Sequence, residues 1–236
     1  MAEWTVARGA DLEWCRPISA REQKERVADR LAGRLRAGDV VGIGSGSTSF
    51  ITLLALARRA EREHLAFAAI ATSIEIERVC TALGVRTLTL NAARPDWNFD
   101  GADEVSPEGR LLKGRGGAMF REKLVMAASR ERYIVVDQSK YVPKLGTNFW
   151  VPCEVVPEAV ELVTERLQTL GAGAMKLRPA QAKDGPVITE WGGVILDVAF
   201  ESAVPPESTL EAIPGVLAVG VFDGWEYTLI SSEDPT

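Results

Sequence analysis

Two carboxylates three residues apart beside a glycine, in Asp100-Gly-Ala-Asp103-Glu104, are followed by Lys113-Gly-Arg-Gly-Gly-Ala118 and then by Arg121-Glu122-Lys123. The chain has one histidine, His64. Acid–base work near neutral pH therefore falls mostly to carboxylates and lysines. An Asp/Asp/Lys/Glu group suits an enzyme that moves protons on a small polar, anionic molecule. Clustered acids are unfavourable unless a cation or a substrate uses them, and Lys113 supplies a cation in the next loop. The three acids could in principle hold a metal, but no histidine is near and the lysine competes for the same charge. No metal is expected.

A second cluster is Gly42-Ile-Gly-Ser-Gly-Ser-Thr48. It joins an apolar run to a helical pattern. Glycines let the backbone turn and approach a ligand closely. The helix start then offers free N–H groups and a positive dipole end to an anion, with the Ser47 and Thr48 hydroxyls alongside. A dinucleotide loop fails on spacing, since GxGxxG needs glycine where Ser47 stands, and no acid follows the next strand at Ala71-Thr-Ser73. The Walker pattern fails for want of Gly-Lys-Thr. A plain tight turn with a hydroxyl cap is the rival reading of this segment alone. In the same way, Glu122 taken alone reads as a solvated glutamate, off an apolar stripe of Phe120, Leu124, Ala127 and Ala128. Lys140, after Val136-Asp137-Gln-Ser, reads as a surface lysine. Lys24 has no signal of its own, and His64 reads as a solvated helix end.

These clusters need elements to position them. Helical spacing runs from Ala20 to Ala37, Phe50 to Glu63, Ser73 to Leu83 and Gly117 to Arg130. Strands are predicted at Asp39–Gly44, Phe67–Ala71, Val85–Leu90, Trp97–Asp100 and Tyr133–Val136. Alternating strands and helices imply βαβ units and a parallel sheet, with ligands outside the carboxyl ends of the strands. The 44–48 loop, the Asp100 loop and the stretch after Asp137 all fall there. After Gly146 the pattern becomes strand 151–157, helix 158–170, strand 174–178, a hairpin over 187–200 turning at Gly192-Gly193, helix 207–213 and strand 216–222. That order is a small α+β unit of the ferredoxin-like kind. The last strand, Tyr227–Ser231, returns to the first domain. The expected domains are 1–146 plus 221–236, Rossmann-like, and 147–220, the smaller α+β domain.

Composition sets further limits. The 236 residues suffice for one large domain or two modest ones, and 46% hydrophobic with 25% charged residues is ordinary for a globular chain. A net charge of −6 argues against nucleic-acid binding, which needs a basic surface. Cys15, Cys80 and Cys153 form no CxxC pair, which reads as a reduced, cytoplasmic chain without disulfides or a zinc site. The charged N-terminus lacks the apolar run of a signal peptide, and no stretch suits a membrane span.

Taken in order, GIGSGSTS at 42–49, DGADEV at 100–105, KGRGGA at 113–118, REK at 121–123 and VVDQSK at 135–140 closely resemble ribose-5-phosphate isomerase of the A type. VPCEVVP at 151–157, GVILDV at 193–198 and AIPGVLAVGVF at 212–222 extend the likeness nearly to the C-terminus. The resemblance implies a Rossmann-like domain with a smaller α+β domain, no metal or other cofactor, and a homodimer or homotetramer. It implies interconversion of ribose 5-phosphate and ribulose 5-phosphate through an enediolate. Glu122 would be the base between C2 and C1. Asp100 and Asp103 would assist ring opening and proton movement on the oxygens, and Lys113 would steady the enediolate. Ser47, Thr48, Lys140 and Lys24 would hold the phosphate. Ser45, Gly46, Gly101, Ala102, Gly114, Arg115 and Gly116 would line the substrate.

The chain departs from the pattern in places. Ser45 stands where the family often has threonine, and Arg115 interrupts a loop that is often all glycine. Glu190-Trp-Gly-Gly193 replaces an Asp-Asn-Gly-Asn turn, and residues 1–17 have no counterpart. These leave room for a paralogue acting on a related phosphosugar. A non-catalytic sugar-phosphate sensor of the same fold is a further alternative, but it would not need Glu122, both aspartates and Lys113 together. A coenzyme A transferase of related fold would need a different context for its glutamate.

Overall fold

A computed structural model describes residues 12–14 and 17–232; Cys15 and most of the N-terminal extension lie outside the described residues. In chain order the elements are α1 (Arg21–Ala32), β1 (Val40–Ile43), α2 (Ser47–Glu63), β2 (Ala68–Ala71), α3 (Ile74–Ala82), β3 (Arg86–Thr87), β4 (Trp97–Gly101), β5 (Glu104–Val105), β6 (Leu111–Leu112) and α4 (Met119–Ala128). They continue with β7 (Glu131–Val136), β8 (Val151–Val155), α5 (Val160–Thr169), β9 (Ala172–Leu177), β10 (Val194–Phe200), α6 (Glu207–Glu211), β11 (Val216–Val219), β12 (Val221–Phe222) and β13 (Thr228–Ser231). The chain divides into two units. One holds the described parts of Met1–Gly101, Arg121–Ser139 and Glu226–Thr236, and the other holds Ala102–Phe120 and Lys140–Trp225. Residues 102–120, 140–146 and 221–225 thus pack with the second unit, where the sequence reading placed them in the first. The reason is a short sheet that the sequence does not announce, described below.

In the first unit the six strands are ordered β13-β7-β4-β1-β2-β3, and each neighbouring pair is parallel. The chain moves outward from β1 to β3, then returns to the other side of β1 with β4. The strand order therefore reverses between β1 and β4, which is where such sheets bind ligands. The expected return of the last strand is seen in β13, paired with β7. Val41 and Ile43 of β1 are fully buried, as a strand covered on both faces requires. Gly42 between them is a packing necessity. A Cβ there would lie 2.6 Å from Val125 Cγ1 of α4 and 2.7 Å from Asn98 Cβ of β4. Val27, Ala28 and Leu31 of α1 and Phe50, Leu53 and Leu56 of α2 share this core. Truncating Leu31 to alanine would cost about 2–5 kcal/mol. Cys80 is buried here, and burial together with nearby Glu77 pushes its thiol up to about 12.

The second unit has the predicted strand, helix, strand, strand, helix, strand order. Its antiparallel sheet runs β11-β8-β10-β9, the ferredoxin-like arrangement. Val155, Val163, Leu167, Leu196, Val198 and Leu210 fill its core with Cys153. Two expectations change. The hairpin predicted over 187–200 does turn at Gly192-Gly193, with Ile188 bridged to Val194 and the Thr189 amide donating to Gly193 O, but only its second arm, from Val194, is a regular strand; Pro186 opens the first arm and lacks an N–H for a ladder. The run 216–222 breaks at Gly220 into β11 and β12. The latter joins β6 and β5 in a three-stranded antiparallel sheet. These strands are two residues each, too short to show any period in the sequence.

Candidate active site

In the first unit, β1 delivers the chain into Gly44-Ser45-Gly46 and β4 delivers it into Asp100-Gly101. The Gly44 amide donates to Phe99 O at 2.8 Å, so the two strand ends are bonded to each other. A Cβ at Gly44 would lie 2.1 Å from Asp100 Cγ. The glycine is therefore what lets the Asp100 carboxylate occupy this position. Asp100 is buried, and its Oδ1 accepts from the Gly101 amide at 2.8 Å and from Ser49 Oγ at 3.5 Å.

Gly46 takes φ 92° and serves as N-cap of α2, without a side-chain cap. Helix α3 differs: Ser73 Oγ accepts from the Ile76 amide. The hydroxyls of Ser47 and Thr48 therefore leave the first amides of α2 uncapped. Those amides have no intrahelical acceptor, and the first turn carries no acid, so this end suits an anion. The buried Lys24 donates from Nζ to Ser19 O at 2.8 Å and to Ser47 Oγ at 3.3 Å. Ser45 Oγ is 2.7 Å from Thr72 Oγ1. The signal for Lys24 was its register. With Val27, Ala28 and Leu31 it lies on the buried stripe of α1. Ser19, Ser49 and Thr72 carried no signal of their own.

Glu122 requires a correction. It lies in the first turn of α4 with only 6% of its surface exposed, and is not solvated. The buried face of α4 is Met119, Glu122, Lys123, Val125 and Met126, whereas Leu124 is 40% exposed. The stripe read from Phe120 and Leu124 was one position out of register, because a glutamate and a lysine occupy core-facing positions. After β7, Asp137 Oδ1 accepts from the amide and hydroxyl of Ser139, closing the turn that ends at Lys140.

In the second unit, Lys113 follows β6 directly and is 4% exposed. Its amide donates to Gly220 O at 2.8 Å, and its ammonium lies 5.3 Å from the centre of the Phe222 ring. Gly114 adopts φ 91°, and a Cβ there would meet Met119 Sδ at 2.8 Å. The Asp103 amide donates to Leu112 O, and Asp103 Oδ2 accepts from the Arg115 amide at 3.3 Å. Ala102 precedes Asp103 in this turn, half-buried, while Arg115 and Gly116 are exposed. The Arg115 guanidinium stacks 4.2 Å above the Phe149 ring. Lys140 is half-buried.

Glu104 separates from its neighbours in role. It is fully buried and accepts from the amides of Gly146, Asn148 and Phe149 at 2.7, 2.5 and 3.0 Å. It closes a loop and is spent there. Among the described residues, no group of three or more His, Cys, Asp or Glu side chains is placed to hold a metal ion. The Glu190–Gly193 turn is built around Thr189, whose hydroxyl donates to Glu154 Oε1. A Cβ at Gly193 would lie 2.8 Å from Glu154 Cγ.

A parallel sheet with an anion-suited helix start and a carboxylate at its switch point, together with a ferredoxin-like unit bearing a buried lysine, defines a Rossmann-like α/β protein equipped for acid–base chemistry. Residues 68–234 match the model of the family described as ribose 5-phosphate isomerase A (phosphoriboisomerase A). The ribose-5-phosphate isomerase A of a Synechococcus species is 42% identical, covering 85% of this chain and 88% of that protein. The one from Methanothermobacter thermautotrophicus is 38% identical, covering 85% and 89%. The solved ribose 5-phosphate isomerase A of Methanocaldococcus jannaschii superposes with a TM-score of 0.85 at 33% identity, covering 91% of this chain and 96% of that one. The chain belongs to the ribose 5-phosphate isomerase A family.

Proposed function

We propose that the chain interconverts ribose 5-phosphate and ribulose 5-phosphate through an enediolate, with Glu122 as the base. Its family membership supports the reaction, and the burial of Glu122 at the start of α4 carries the assignment. A solved relative, with a TM-score of 0.86 and 30% identity, is a D-ribose-5-phosphate isomerase in complex with phospho-erythronic acid. A carboxylate on a phosphorylated carbon chain resembles an enediolate in charge.

In the proposed sequence, Asp100 and Asp103 assist opening of the furanose ring. The Glu122 carboxylate removes the C2 proton, and the electron pair moves onto the C1 carbonyl oxygen. The Lys113 ammonium stabilises that charge. Glu122 returns its proton to C1 while the aspartates carry the O2 proton to O1, giving the C2 carbonyl and C1 hydroxyl of the ketose. Lys24, Ser45, Gly46, Ser47, Thr48 and Lys140 anchor the phosphate, and anchoring turns remote binding energy into orientation. Gly101, Ala102, Gly114, Arg115 and Gly116 line the sugar. No metal or other cofactor enters this scheme.

Among the described residues no helix is long and apolar enough to cross a membrane. The proposal places the enzyme in the cytoplasm as a homodimer or homotetramer.

The test is turnover in heavy water. A proton passing through a carboxylic acid exchanges with solvent, so deuterium should appear on C1 of the ketose, and chelator should leave the rate unchanged. A direct hydride shift incorporates no label. Absence of label, with activity lost to chelator and restored by a divalent metal, would reassign the aspartates as ligands.

A further inference from the structure

The loop that carries Lys113 contains three glycines in four positions, Gly114, Gly116 and Gly117 around Arg115. Ordering such a segment costs about 1–2 kcal/mol per residue in backbone entropy. Something must hold it, and a side chain of the second unit grips two of its carbonyls. Arg178 follows β9. Its Nη1 donates to Gly114 O at 3.2 Å and to Arg115 O at 2.8 Å. Its Nε and Nη2 donate to Asp197 Oδ2 and Oδ1 of β10 at 2.9 and 2.5 Å. Both side chains are largely buried, 19% and 12% exposed. The backbone of Arg178 is itself pinned, its amide to Ile195 O and its carbonyl to the Val187 amide, each at 2.8 Å.

The loop residue that Arg178 grips is bonded in both directions. Arg115 gives its carbonyl to the guanidinium and its amide to Asp103 Oδ2. Gly114 O also accepts from the Gly117 amide, so the same carbonyl closes the glycine turn. One planar fork thus reaches a rigid sheet carboxylate on one edge and two consecutive loop carbonyls on the other. Lysine cannot do this, since an ammonium has no fixed plane of donors.

We propose that Arg178, oriented by Asp197, is a positioning residue that fixes the Lys113–Gly117 loop and, through the Arg115 peptide, Asp103. This rests on the roles given above to Lys113 and Asp103. Arg178 acts through them and touches no reacting atom.

The experiment is steady-state kinetics on ribose 5-phosphate with thermal midpoints, for Arg178→Lys, Arg178→Ala, the double variant Arg178→Met with Asp197→Leu, and Lys113→Met alongside. A misplacement of about 1 Å costs roughly a hundredfold in rate. Arg178→Lys and Arg178→Ala should therefore lose about ten- to a hundredfold in kcat with KM changed less than about twofold. Millimolar guanidinium ion should recover Arg178→Ala several-fold, and methylammonium should not. If Arg178→Ala fails to fold for want of a partner for Asp197, the double variant decides. It removes both charges and keeps the volume, a change cores tolerate, and it should fold with the same loss in kcat.

Wild-type kcat in Arg178→Lys or in the folded double variant overturns the proposal. So does a loss of kcat that guanidinium leaves untouched and that follows the folded fraction. Lys113→Met separates the two levels. If it is slow while the Arg178 variants are not, positioning fails alone. If Lys113→Met turns over normally, the role of Lys113 fails and the positioning of it fails with it.

Discussion

In the parallel-sheet unit, Asp100 is placed by main chain. It lies next to the end of a strand paired with β7 along its length and with β1 over Trp97–Phe99, and Gly44 of the neighbouring strand end makes room for its carboxylate. In the second unit, Lys113 is placed by close approaches and side chains. Its strand is two residues long, its carbonyl is pressed against Gly220, and its loop is gripped by Arg178. A long ladder fixes a residue through many bonds, so losing one contact moves it little. A two-residue strand relies on each contact. The lesson is that Asp100 should be sensitive to substitutions that intrude on it and insensitive to distant side chains, while Lys113 should be sensitive to both.

The largest effect tests the first unit directly. Glu122→Gln keeps the shape of the side chain but removes the proton acceptor. General base catalysis supplies roughly 10²–10⁴-fold, so kcat should fall by that factor while ribose 5-phosphate still binds. Turnover near that of the wild type would remove Glu122 from its role. Because Glu122 is buried, a thermal midpoint must accompany the measurement.

Next comes a matched pair of glycines. Gly44→Ala would set a methyl 2.1 Å from Asp100 Cγ, and Gly220→Ala would set one 2.3 Å from Lys113 O and 2.5 Å from Pro152 Cγ. In the first case a side chain can turn aside; in the second the obstacle is backbone. Gly44→Ala should therefore cost about a hundredfold in kcat through misplacement of Asp100, with a modest change in thermal midpoint. Gly220→Ala should lower both kcat and the midpoint, since overpacking against backbone costs about 1–3 kcal/mol. Equal losses of stability in the two would erase the distinction drawn between the units.

What was legible follows the same division. The parallel sheet could be read because its strands are apolar runs alternating with helices, and the switch point follows from order alone. The glycine turn, Asp100 and the last strand fell into place for that reason. The α+β order of the second unit was also legible. The β5, β6 and β12 sheet was not, since two residues carry no period, and with it went the boundary around 102–120. Glu122 was misread as solvated because a helix stripe is inferred from apolar residues, and here two charged side chains are buried in it. Lys24 shows the same failure on α1. Arg178 and Asp197 carried no signal either, being one basic residue before a proline and one acid within a strand. Buried charge at a functional site is what pattern reading is least able to see.

A smaller effect is expected at Lys140, which ends the turn closed by Asp137 and Ser139. A hydrogen bond to a charged group is worth about 1.5–3 kcal/mol, about ten- to a hundredfold in affinity. Lys140→Ala should raise KM for ribose 5-phosphate by that factor with little change in the thermal midpoint. Unphosphorylated ribose, a poor substrate at best, should not respond to the substitution. Equal use of ribose and its 5-phosphate would refute the phosphate-binding role of Ser47, Thr48 and Lys140.

The smallest effect concerns stability and sharpens the contrast by showing what the second unit tolerates away from its lysine. Glu154 lies in β8 with its side chain fully buried, accepting at Oε1 from the Thr189 hydroxyl. Burial pushes its carboxyl above the usual range and the like charge of Glu190 adds to this, against the lowering by the Thr189 bond. An acid raised by folding favours the protonated native state. Its contribution is full below the unfolded value of about 4.3 and is lost as pH rises through the folded value. The contribution of Glu154 to stability should therefore fall as pH climbs from about 4 toward neutrality. Glu154→Gln keeps an acceptor for Thr189 and carries no charge at any pH. Its thermal midpoint should exceed that of the wild type at pH 7, and the gap should close near pH 4. Activity should be unchanged, because Glu154 belongs to the turn and not to the Lys113 loop. Midpoints that run parallel across this range would mean that the carboxylate is solvated when ionised, and that the Glu190–Gly193 turn opens to let water reach it.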